Sequence, residues 1–144
     1  MITYREMDIS DYAQVAALWR ETEHMLLRDA DSKQSISHYL IRNPGLSYVA
    51  QKDKVIVGCV VVGTDGRRGY LQHLAVSNEA RGSGIGKHLV SLSIDALAQI
   101  GIAKTHLFVA NDNPKAQAFY QSQGWHPRDE VRMFSFNSSS NSEV

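Results

Sequence analysis

One cysteine, Cys59, and three prolines are all that the 144 residues contain of either type. A single cysteine excludes an internal disulfide framework and any cysteine-rich metal site, so the core has to hold by packing alone. Neither sign of charge prevails: 15 Lys plus Arg stand against 15 Asp plus Glu, which leaves no overall pull toward nucleic acid or acidic membranes. Long hydrophobic runs are also missing. The longest, Val55 to Val62, is interrupted by Gly58 and falls far short of the ~20 residues that a membrane helix needs. Met1 to Glu6 has no basic-then-apolar signal pattern. These absences lead to the expectation of a cytoplasmic protein with no bound metal, no nucleic-acid partner and no membrane association.

What is present reads as alternating strands and helices. Ile2 to Arg5 forms a short strand, and Asp8 caps a helix whose Tyr12, Val15, Ala16 and Trp19 fall on one face. Glu21 to Lys33 is polar and unperiodic, and a second short helix runs from Ser35 to about Arg42, ended by Asn43-Pro44-Gly45. Ser47 to Gln51 and Val55 to Val62 are β-branched strands, and a turn holding Asp65-Gly66 leads to a third, Tyr70 to Val76. The period then changes. Ile85, Leu89, Leu92, Ala96 and Ile100 mark an amphipathic helix stopped by Gly101. His106 to Ala110 is the next strand, Asn113-Pro114 opens a last helix that Gly124 closes, and Val131 to Phe136 reads as a final strand. The sum is one α/β domain over residues 1–136, with antiparallel hairpins first and a strand–helix–strand crossover later. The serine- and asparagine-rich stretch 137–144 has little to bury and is expected to be disordered.

The chemistry sits in Ala80-Arg81-Gly82-Ser83-Gly84-Ile85-Gly86-Lys87, where a strand passes into a helix. Glycines let the backbone approach an anion closely, and the unpaired N–H groups of a helix's first turn favour phosphate. A glycine-rich connection that binds nothing is the bland alternative. Neither a dinucleotide fingerprint nor a nucleoside-triphosphate loop fits, since the G-x-G-x-x-G and G-x-x-x-x-G-K-[ST] spacings are absent.

Leu74-Ala75-Val76, followed by Arg81-Gly82-Ser83-Gly84-Ile85-Gly86 and Leu89, resembles the Q/R-x-x-G-x-G/A signature of the GNAT acetyltransferases. Asn111, Asn113, Ala116, Phe119, Tyr120, Gly124 and Trp125 resemble the family's second signature, with Trp125 at its closing aromatic position. The resemblance implies a mixed, mostly antiparallel sheet with splayed fourth and fifth strands, flanked by about four helices. It implies acetyl-coenzyme A as co-substrate, and a small-molecule or peptide amine as acceptor, attacked directly in a ternary complex. A homodimer is expected on the same ground. The competing reading is a coenzyme A-binding sensor or interaction module without turnover.

Residue by residue, the resemblance lays the pantetheine arm along Leu74, Ala75 and Val76. It sets the pyrophosphate on Arg81, Gly82, Ser83, Gly84, Ile85, Gly86 and Lys87, and adds Asn111 and Asn113 beyond the fifth strand. Tyr120 becomes the general acid for the departing thiolate. The base stays open, because Tyr70 to Ser77 contains no acidic residue. Tyr70, Gln72 and His73 are the candidates for base or water relay. Alternation puts Tyr70 and Gln72 on one face and His73 on the other unless a bulge shifts the register. The resemblance turns the Tyr70 and Gln72 face to the acceptor, leaving His73 as a core histidine under the helix or as the base. Glu21 and His24 are the candidate acceptor contacts, against the plain alternative of a solvated helix end.

Overall fold

The computed structural model describes all 144 residues, and its centre is one five-stranded sheet in the order β1-β2-β3-β4-β5. The strands are β1 (Thr3–Glu6), β2 (Tyr48–Lys52), β3 (Val55–Thr64), β4 (Gly69–Val76) and β5 (Thr105–His106). The first four pair antiparallel, while β4 and β5 run parallel. Helices α1 (Tyr12–Glu21) and α2 (Lys33–Arg42) precede β2, α3 (Ile85–Gln99) links β4 to β5, and α4 (Pro114–Ser122) follows β5.

Local signals explain most of these boundaries. Asp8 caps a 3-10 turn, Ile9–Asp11, that feeds α1; it accepts from the Ser10 N–H at 2.9 Å, and its own N–H donates to Asp11 at 2.9 Å. Arg5 on β1 then grips Asp11 through two bonds of 2.8 Å, fixing the entry of α1 to the sheet edge. Ser32 caps α2 by accepting from Ser35 N–H at 3.1 Å. In the β3–β4 turn the Asp65 carboxylate accepts from the backbone N–H groups of Arg67 and Arg68, both at 2.8 Å.

The sheet separates two apolar cores. Alternation on β3 sends Cys59 and Val61 toward α1 and α2, where they meet Val15, Trp19 and Ile36, and sends Val60 and Val62 toward α3, where they meet Ile85, Leu89 and Leu97. Gly58 allows the second contact: a Cβ there would lie 2.9 Å from Ile85 Cγ2 and 3.1 Å from Leu89 Cδ1.

Two expected strands differ. The strand expected over His106 to Ala110 is reduced to Thr105–His106, since only Gly69 with Thr105 and Tyr70 with His106 pair across β4 and β5. Val131 to Phe136 forms no strand. Phe134 is 88% and Phe136 93% exposed, and a β5 of two residues leaves that side of the sheet no ladder to extend. Residues 137–144 are all exposed; Asn141 donates to the Asp29 carboxylate at 2.6 Å, and Glu143 pairs with Arg28.

Candidate active site

Beyond the Tyr70–His106 pair, β4 and the chain after β5 part, and the gap opens into a cleft of about 760 Å³. That is a volume suited to a large small-molecule ligand. One wall is β4 from Leu71 to Val76, and the other is Leu107 to Ala110 with the α4 residues Ala116, Phe119 and Tyr120. The glycine turn closes one end, and Thr22 to Leu26, after α1, covers part of the mouth.

The glycine turn leaves a run of backbone donors open. Gly82 and Gly84 sit at φ 81° and 84°, where a side chain would strain the backbone. The left-handed Gly84 is the N-cap of α3. From Gly82 through Lys87 no backbone N–H donates to any protein acceptor; the first that does is His88, to the Gly84 carbonyl at 3.0 Å. A run of open donors at the positive end of a fifteen-residue helix fits a pyrophosphate. Arg81 folds back, its Nε donating to the Val76 carbonyl at 3.0 Å, and Ser83 donates to the Ala80 carbonyl at 2.6 Å. Arg81, Gly82, Gly84, Ile85 and Gly86 line the cleft, whereas Ser83 and Lys87 lie outside its wall.

Leu74, Ala75 and Val76 line the cleft on the edge that β5 leaves unpaired. Their backbone groups on that edge are free to bond an amide-bearing chain as a neighbouring strand would. Asn113 also reaches the wall, but its side chain caps α4, accepting from Ala116 N–H at 3.2 Å. The Asn111 side chain is exposed and outside the wall, while the Asn111 backbone carbonyl accepts from Gln117 Nε2 at 3.2 Å. Tyr120 packs between Phe119 and Trp125, at centroid distances of 5.1 and 5.7 Å. No hydrogen bond acts on its hydroxyl, and burial pushes its pKa up to about 12.

β4 carries a bulge that decides where the base candidates point. Cys59 faces Ala75 and Val61 faces Gln72, so two residues of β4, His73 and Leu74, stand against the single Val60 of β3, and His73 sits at φ 49°. The bulge moves His73 off the face that strict alternation gives it. Its ring packs 5.0 Å from the Trp19 ring, on the α1 side of the sheet, and not under α3. Gln72, opposite Val61, points to the same side, so both residues line the cleft together. Tyr70 lies outside the cleft wall, its ring 6.0 Å from His106.

His73 also has a partner that no sequence signal identified. Its Nε2 lies 2.7 Å from Asp31 Oδ1. Asp31 ends the 3-10 turn Asp29–Asp31 inside the unperiodic segment, 42 residues from His73, so neither periodicity nor motif spacing links the two. Of the candidate acceptor contacts, His24 lines the cleft and lies 3.6 Å from the exposed Asp112, which is itself outside the cleft wall. Glu21 sits outside the cleft, beside Ser77 and Arg81.

The family model for the acetyltransferase (GNAT) family matches residues 12–125 of the chain. An acetyltransferase of Pectobacterium atrosepticum is 36% identical over 112 residues, covering 77% of this chain and 78% of that one. Among solved structures, the PaiA N-acetyltransferase of Thermoplasma acidophilum, in complex with coenzyme A, superposes with a TM-score of 0.78 at 20% identity, covering 90% of this chain and 92% of its own. AAC(6')-Iy, in complex with the bisubstrate analogue CoA-S-monomethyl-acetylneamine, superposes with a TM-score of 0.76 at 16% identity, over 95% and 99% of the two chains.

Proposed function

This chain belongs to the GNAT acetyltransferase family, and we propose that it transfers acetyl from acetyl-coenzyme A to a primary amine by direct attack in a ternary complex. The observation that carries the reading is the run of unpartnered N–H groups from Gly82 to Lys87 at one end of the cleft that β4 and β5 leave between them. The thioester supplies an activated acyl group; the protein has to bind it, exclude water and handle protons.

Each part of the cleft has a role in this reading. The glycine turn holds the pyrophosphate, and the free edge of Leu74 to Val76 pairs with the pantetheine amides. A β4 N–H near Ala75 or Val76 then donates to the carbonyl oxygen as negative charge develops there. Tyr120 stands on the opposite wall as proton donor to the leaving sulfur. The acceptor enters from the α1 side, past Gln72, His73 and His24. An amine-bearing ligand is in keeping with AAC(6')-Iy, whose bisubstrate analogue carries acetylneamine.

The reading extends to one catalytic domain over residues 1–136, with 137–144 outside it, and to a cytoplasmic location, which a lone, buried thiol at Cys59 suits. No helix is long and apolar enough to cross a membrane.

Thiol release from acetyl-coenzyme A over a panel of peptide, polyamine and aminosugar acceptors tests the proposal, with calorimetry for cofactor binding. Amine-dependent release is expected. Binding without release over the whole panel would leave a cofactor-binding module and sink the transfer reading.

A further inference from the structure

Direct attack needs a free amine. An alkyl ammonium loses its proton near pH 10.4, so a neutral-pH enzyme has to take that proton away. β4 offers no carboxylate for the task between Tyr70 and Ser77. It offers a histidine held in an unusual way. His73 occupies a left-handed backbone position at the bulge, lines the cleft and rests against the buried ring of Trp19. Such a conformation persists only where its surroundings impose it.

The partner is held as firmly. Asp31 Oδ1 lies 2.7 Å from His73 Nε2, Asp31 Oδ2 accepts from Arg28 N–H at 2.9 Å, and the Asp31 carbonyl accepts from the Tyr12 hydroxyl at 2.6 Å. The two side chains are only 20% and 11% exposed. An ionised carboxylate can only accept, so the hydrogen between them belongs to Nε2. In the neutral ring the lone pair is therefore on Nδ1. That nitrogen has no hydrogen-bond partner in the protein and is not sealed from solvent.

We propose that Asp31 and His73 form a base dyad: the Asp31 carboxylate fixes the imidazole so that His73 Nδ1 takes the proton of the acceptor ammonium. The proposal rests on the amine-transfer reading above and names the group which that reading leaves open. His73 is the catalytic residue, and Asp31 positions it and stabilises the imidazolium. The ammonium gives one proton to Nδ1, directly or through one water. The amine lone pair forms the N–C bond to the acetyl carbon, the C–S bond breaks, and its electron pair leaves on sulfur. The surplus proton on nitrogen passes to that sulfur, with Tyr120 as relay, and His73 returns its own proton to solvent. One ammonium and one thioester give one amide, one thiol and one released proton. Asp31 is the charged group bonded to the ring. Glu23 and His24 line the cleft mouth, Asp112 lies beside His24, and α1 contributes Trp19.

The test has three arms. First, nitrogen NMR of the wild-type protein reads the neutral His73 tautomer, with hydrogen expected on Nε2 and a redistribution in Asp31→Ala. Second, kcat/KM is followed from pH 6.5 to 10.5 with the best amine of the panel. At pH 7, Asp31→Asn should lose about 10- to 100-fold and His73→Gln about 100-fold or more. Both deficits should shrink as pH nears the amine's own pKa, where the substrate arrives deprotonated, and Asp31→Glu should recover part of the loss. Third, calorimetry should give acetyl-coenzyme A affinities within twofold of wild type for Asp31→Asn, Asp31→Glu and His73→Gln. A deficit that stays constant with pH would make the pair a structural tie between turn and strand. Hydrogen on Nδ1 in the wild type would overturn the proposal even if the variants failed to fold. A wild type that does not bind acetyl-coenzyme A would sink the transfer reading itself, and the dyad's role with it.

Discussion

Tyr70 of β4 faces His106 of β5 as the last pair those strands make, and every cleft-lining residue of β4 lies beyond it. The divergence leaves one edge of Leu71 to Val76 unpaired inside an otherwise continuous sheet. Normally a bare edge invites the wrong neighbour. Here it forms one wall of the cleft and faces α4.

Gly84→Val tests the anion cradle. A Cβ at Gly84 meets no protein atom within 4 Å, so the cost to the fold is the left-handed backbone, about 2 kcal/mol. The side chain would project where the pyrophosphate is expected. Coenzyme A affinity should fall more than tenfold by calorimetry while the thermal melt stays cooperative. Wild-type affinity in a folded variant would mean that the cradle lies elsewhere.

Tyr120→Phe tests the proton donor. With its pKa pushed up to about 12 by burial, the phenol gives a proton to a thiolate of conjugate pKa near 8.5 uphill by about 5 kcal/mol, so the transfer has to accompany departure of the sulfur. The loss in kcat should therefore be modest, about 10- to 100-fold, with little change in KM for acetyl-coenzyme A. Stability should barely move, because burial alone, with no hydrogen bond, acts on the hydroxyl. Full kcat in steady-state assays would reduce Tyr120 to packing.

Gly58→Ala couples core to cofactor. The new methyl would press on Ile85, the first residue of α3, and on Leu89. Overpacking of this kind costs roughly 1–3 kcal/mol. Because Ile85 also lines the cleft beside the cradle, denaturant titration should show the destabilisation and calorimetry a several-fold weaker coenzyme A complex. Weakened stability with unchanged affinity would uncouple the two.

Cys59 sets an alkaline limit. Burial pushes its thiol from 9.0 up to about 12, against smaller opposing contributions from Trp19 and the Ala75 backbone. The unfolded chain ionises near 9.0 while the folded chain keeps the proton, so this contribution is intact below pH 9 and drains away as pH rises toward 12. Between pH 8 and pH 10 the loss is about 1.4 kcal/mol. Urea unfolding at both pH values should show it in the wild type and not in Cys59→Ala. Equal slopes in the two proteins would place the alkaline sensitivity elsewhere.

How much the sequence disclosed depends on how local each signal is. The glycine turn, α3 and α4 were legible because glycines, caps and apolar period lie within a few residues of one another, as in Asn113-Pro114. β5 was overestimated because the length of a strand is fixed by its partner, and β4 turns away after Tyr70. Val131 to Phe136 has strand composition but no ladder to join. The side to which His73 points depends on one extra residue in β4, which the sequence allowed without locating it. Asp31 was out of reach, since its partner lies 42 residues on and only the folded chain joins them.

The division of the interior by the sheet has an evolutionary consequence. On the function proposed above, the residues on the acceptor side pack with α1 and α2, while those behind the glycine turn pack with α3. Substitutions at well-separated positions with no shared partner combine nearly additively. A lineage carrying this fold can therefore drift on the acceptor side, one residue at a time, without compensating changes behind the glycine turn. Divergence in what is acetylated and persistence in what supplies the acetyl group then follow from the same partition.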